Sequence, residues 1–137
     1  MSGEEEVVRL TASPHPFYAQ AIRVAVFLMA SRLGFDLEQV EDLRIAVDEA
    51  WNHAISHSPP QGEVEVEVGV RPQGMRIVIS SDITEQCEEP RDISGSFSRL
   101  ILDAVSDDVR IEHEDGRCRI TLSKLKEDAG AGGEPER

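Results

Sequence analysis

Along residues 43–57, LRIAVDEAWNHAISH, apolar and polar positions both recur at helical spacing, and the two sets fall on adjacent stripes. Val40, Leu43, Val47, Ala50 and Ala54 step by three or four residues and mark a core-facing stripe. Glu49, His53 and His57 step by four on the neighbouring stripe, and Asn52, three residues after Glu49, borders it. Asp36 is placed to cap this helix, because its carboxylate can accept from amides two or three residues on, and the helix ends before Pro59-Pro60. A preceding helix is predicted over 17–33, with Phe17, Ala21, Val24, Ala25 and Leu28 as its apolar stripe and Gly34 as its stop.

Elsewhere the period is that of a strand. Residues 6–11, EVVRLT, read as a first strand, and Ser13-Pro14-His15-Pro16 punctuates the way into the helix. Residues 63–70, EVEVEVGV, set valines on one face and acids on the other, the pattern of a half-exposed antiparallel strand. Pro72-Gln73-Gly74 turns this strand into 75–80, MRIVIS. Residues 82–94 are polar and aperiodic and read as a loop; a short helix follows over 97–105, with Leu100, Ile101, Ala104 and Val105 apolar. Strands at 109–114 and 117–122 flank Asp115-Gly116, a strong hairpin signal.

Strands of this kind have one apolar face to cover. The economical architecture is an α+β two-layer sandwich, a mostly antiparallel sheet of about five strands with three helices on one face. Residues 1–125 are expected to form one domain. Residues 126–137, KEDAGAGGEPER, lack core-forming side chains and are expected to be a disordered acidic tail.

Composition narrows the function classes. No apolar run approaches the roughly 18 residues of a membrane span. With 14 basic against 27 acidic residues the net charge is -13, which argues against direct nucleic-acid binding, since that affinity comes mainly from Lys and Arg on phosphates. A protein partner with a basic surface is the electrostatic complement; the plain alternative is that the charge only keeps the chain soluble. Cys87 and Cys118 show no CxxC spacing and residues 1–6 are acidic rather than basic and apolar, so a cytoplasmic protein with reduced thiols is expected.

Three segments, GFDLEQVEDLRIAVDEAWNHAISHS, GSFSRLILDAVSDDVRIEHEDG and RCRITLSK, in this order and spacing, resemble the anti-sigma-factor serine kinases. That family is a branch of the histidine-kinase-like (Bergerat-fold) ATPases, and the resemblance covers residues 7–124. The last two segments are particularly similar to the anti-sigma factors of actinobacteria. The resemblance implies that fold, with ATP and Mg2+ as possible cofactors. In the family a helix called the N-box supplies a Glu that orients or activates the attacking group and, four residues later, an Asn that holds Mg2+.

Glu49 matches the Glu. Four residues later stands His53, while Asn52 falls one position early, a rotation of about 100° on the helix. Asn52 and His53 are therefore the metal candidates, although Mg2+ prefers oxygen to imidazole. The family's adenine-reading Asp is matched by Asp82 after Ser81, but no glycine follows before Gly95. The second glycine box aligns with residues 96–99, with Gly95 at its edge and Ser96 and Ser98 as the phosphate-contact candidates; small residues at a helix start also serve as caps.

What the resemblance implies is an anti-sigma regulatory factor that binds and sequesters a sigma factor in partner-switching transcriptional control. An anti-anti-sigma protein would release it, and the nucleotide site would be degenerate. By the same resemblance Gln20, Arg23 and Arg32 on the first helix are partner-contact candidates, and a homodimer through the first strand is expected. Two alternatives stay open: an active ATP-dependent serine kinase acting on the anti-anti-sigma factor with Glu49 as base, and a transition-metal site of Glu49, His53 and His57. Trp51 and Phe97 read as core or interface anchors rather than ligand-stacking groups.

Overall fold

The computed structural model describes residues 5–83 and 97–126. The chain runs through β1 (Glu6–Ala12), a 3-10 turn (Pro16–Tyr18), α1 (Ala19–Leu33), α2 (Leu37–Ser56), β2 (Val64–Arg71), β3 (Gly74–Asp82), α3 (Phe97–Val105), β4 (Asp108–Glu114) and β5 (Arg117–Leu125). This is the order that the hydrophobic pattern predicts. Most of the expected 82–94 loop, nearly all of the expected tail, and Cys87, Gly95 and Ser96 lie outside the described residues.

Local chemistry sets the helix ends. Asp36 accepts from the Gln39 amide at 2.8 Å while the Gln39 side chain accepts from the Asp36 amide at 3.1 Å, a reciprocal capping box that starts α2. Gly34 closes α1 in the left-handed region, at φ 75°, and the Gly34 and Phe35 amides return to Ser31 and Ala30 carbonyls. At the last hairpin Asp115 and Gly116 both take positive φ, 55° and 75°, as a two-residue turn matched to strand twist requires.

The five strands form one antiparallel sheet in the order β1-β2-β3-β5-β4. Val64, Val66 and Val68 of β2, Ile77 and Ile79 of β3, and Ile120 and Leu122 of β5 point to the helical side and are buried there with Trp51, Val47 and Ala50 of α2. The indole Nε1 of Trp51 donates to the His15 carbonyl at 3.0 Å, which ties α2 to the turn before α1. The other face carries charge, including Arg9 with Glu67 at 3.0 Å and Arg117 with Asp82 at 2.7 Å.

On α1 the expected stripe does not make the core. Ile22, Val26, Met29, Ala30 and Leu33 are buried, whereas Phe17, Ala21, Val24 and Leu28 face outward; Ala25 alone of the expected set is buried. The helix AQAIRVAVFLMASRL is apolar on most of its circumference, so two stripes satisfy helical spacing and periodicity does not choose between them.

Candidate functional site

The position that the resemblance assigns to the N-box lies where α2 meets α3. Glu49 is half-buried on the α2 stripe adjacent to the core, and the hydroxyl Oγ of Ser98, in the first turn of α3, donates to Glu49 Oε2. Two residues singled out in the sequence, 49 positions apart, are thereby brought into direct contact. α3 buries Leu102 fully, and its far end is held by Lys124, whose Nζ bonds both Asp42 of α2 at 2.8 Å and the Val105 carbonyl at 3.2 Å.

His53 and His57 follow Glu49 down the helix. Their rings stack at a tilt with centroids 4.3 Å apart, and His57 Nδ1 lies 2.9 Å from the His53 carbonyl. His113 of β4 has its pKa lowered, first by burial and then by the charge of His57. Asn52 projects into solvent, away from the core. Among the described residues no group of three or more His, Cys, Asp or Glu is arranged to hold a metal ion.

Asp82 is not brought to this site. Along β3 Met75, Ile77, Ile79 and Ser81 alternate inward and are buried, so Asp82 falls on the opposite face. There its carboxylate meets Arg117, which also lies 3.6 Å from Glu65 of β2. The inward position at this end of β3 is Ser81, fully buried, its hydroxyl without a hydrogen-bond partner in the structure. Counting by twos from Ile77 and Ile79 would have found it in the sequence.

The partner candidates on α1 separate in a similar way. Gln20 is exposed. Arg23 is engaged with Asp48 of α2 at 2.7 Å and Arg32 with Glu6 of β1 at 2.8 Å. Between them lies the surface that spacing alone had assigned to the core: Phe17, Val24 and Leu28 are 60%, 66% and 59% exposed, with Ala21 in line at the intervening turn. Single exposed apolar residues are ordinary; a row of them continuing from the 3-10 turn along α1 is an apolar surface open to solvent.

A five-stranded antiparallel sheet covered on one face by three helices, in this order, is the architecture of the histidine-kinase-like ATPase fold. No protein-family model matches the chain. Among curated proteins it is 23% identical to the serine-protein kinase RsbW of Bacillus subtilis over 144 residues, covering 92% of this chain and 88% of that protein. It is 28% identical over 137 residues to the protein of the same name from Oceanobacillus iheyensis, covering 87% and 86%. Against that of Listeria monocytogenes the identity is 25%, covering 93% and 92%.

Among solved structures it resembles the crystal structure of the RsbU and RsbW domains of Rv1364c from Mycobacterium tuberculosis, with a TM-score of 0.69 at 17% identity. The match takes in 90% of this chain and 33% of that longer one. The chain is thus similar along nearly its whole length to proteins named serine-protein kinase RsbW.

Proposed function

We propose that this protein is an anti-sigma regulatory factor: it sequesters a sigma factor by direct binding and is released by an anti-anti-sigma protein, within a homodimer. The observation that carries the reading is the outward apolar row of α1. An apolar row on a rigid helix gives a partner a surface to desolvate, and the acidic surplus of the chain complements the basic surfaces of a DNA- and polymerase-binding partner. Gln20 lies beside that row, and Arg32 joins it to the β1 edge through Glu6.

The nucleotide site is degenerate in this reading. Four arrangements support it: a hydroxyl stands inward where an adenine-reading carboxylate is expected, Asp82 is turned to the other face, Asn52 points to solvent, and Glu49 is engaged by Ser98. A triphosphate with Mg2+ needs oxygen ligands and backbone amides converging on it, and of the carboxylates and amides that the resemblance assigns, Asp82 and Asn52 do not converge on Glu49. The second reading, an active serine kinase using Glu49, draws on the name of its relatives.

Co-purification of the full chain with the organism's sigma factors, with and without ATP, tests both. The expected outcome is a nucleotide-independent complex that Val24→Asp and Leu28→Asp weaken at least tenfold while each changes stability by no more than about 0.5 kcal/mol, the usual range for surface positions. Retention of full affinity in both variants sinks the α1 surface. Binding of Mg-ATP by calorimetry at millimolar nucleotide sinks the degenerate site.

A further inference from the structure

The Ser98–Glu49 contact does more than occupy a carboxylate. α3 is nine residues long, has Leu102 as its fully buried anchor with Val105 packed against the same core, and leaves Phe97 and Leu100 exposed. Isolated helices of this length are marginal, and α3 needs tethers. At its far end the Lys124 ammonium bridges Asp42 and the Val105 carbonyl. At its near end the tether is Ser98 Oγ to Glu49 Oε2.

We propose that Glu49 is a positioning residue in this chain, forming with Ser98 a latch that holds the start of α3 against α2. A carboxylate oxygen that accepts directly from a hydroxyl is committed to that donor, while the second oxygen keeps its own acceptor sites. The latch therefore occupies one carboxylate oxygen of Glu49, Oε2, for as long as α3 is seated. Opening it frees the carboxylate and the start of α3 together. This rests on the degenerate-site reading above only for its consequence, not for the contact itself.

Backbone hydrogen exchange of residues 101–105, measured on the full chain without partner, tests the latch. Ser98→Ala and Glu49→Ala each speed exchange roughly tenfold, the factor that one hydrogen bond to a charged group is worth. The double variant exchanges no faster than either single one, and Ser98→Thr, which keeps the hydroxyl, returns exchange to the wild-type rate. Additive effects in the double variant, or unchanged exchange in Ser98→Ala, overturn the latch. Calorimetry with Mg-ATP reads the nucleotide claim separately: binding to the wild-type chain sinks that claim and leaves the exchange cycle to decide the latch.

Discussion

At the scale of single residues, what a side chain does follows from the face on which it lands. Glu49 and Asp82 are both carboxylates at positions that the family resemblance marks, yet one meets a serine beneath α3 and the other an arginine across the open sheet face. Ser81 takes the inward place by strict alternation, and burying an unpaired hydroxyl costs free energy that nothing in the described core returns. His113 adds a pH dependence. Burial and the nearby His57 lower its pKa in the folded chain, so the unfolded chain takes up its proton first as the pH falls. This group therefore costs stability as the pH drops below the ordinary histidine value, about 6.5, and the loss levels off below its lowered folded value. Urea midpoints measured between neutral and mildly acidic pH should fall more steeply for the wild type than for His113→Gln.

At the scale of elements, ends and turns were legible because they rest on chemistry local to a few residues. Asp36 and Gln39 sit three apart and cap each other; Gly34 and Asp115-Gly116 take the backbone conformations their residue types favour. Gly34→Ala keeps open space around its new Cβ but must hold φ at 75°, and should cost about 1 kcal/mol, the left-handed penalty for a side chain, read by chemical denaturation. Faces were less legible than ends. The α2 stripe holds because polar residues bound it, with Leu43, Val47, Ala50 and Ala54 buried. On α1 no polar residue interrupts the circumference between Val24 and Ala30, so the pattern carried no information about which apolar side met the sheet. The misassigned side is the one on which the proposed partner surface lies.

At the scale of the whole molecule, the sheet order β1-β2-β3-β5-β4 puts one face under the helices and leaves the other to paired charges. The described residues contain no helix long and apolar enough to cross a membrane. A net charge of -13 makes association with a basic partner a long-range attraction that salt screens. The association rate for the sigma factor should therefore fall about tenfold or more between low and high ionic strength, with a much smaller change in dissociation, by surface plasmon resonance. A salt-independent association rate would remove the electrostatic part of the proposal.

The sequence by itself determined the elements, their order, their caps and the two-layer class, because these depend on spacing and on short-range hydrogen bonding. It also placed Glu49 on the stripe adjacent to the core. Only the tertiary structure decided which side of α1 is buried and that Ser98 reaches Glu49 across 49 residues of chain. Those are relations between elements. They are fixed by sheet register and by which surfaces exclude water together, and neither has a period along the chain.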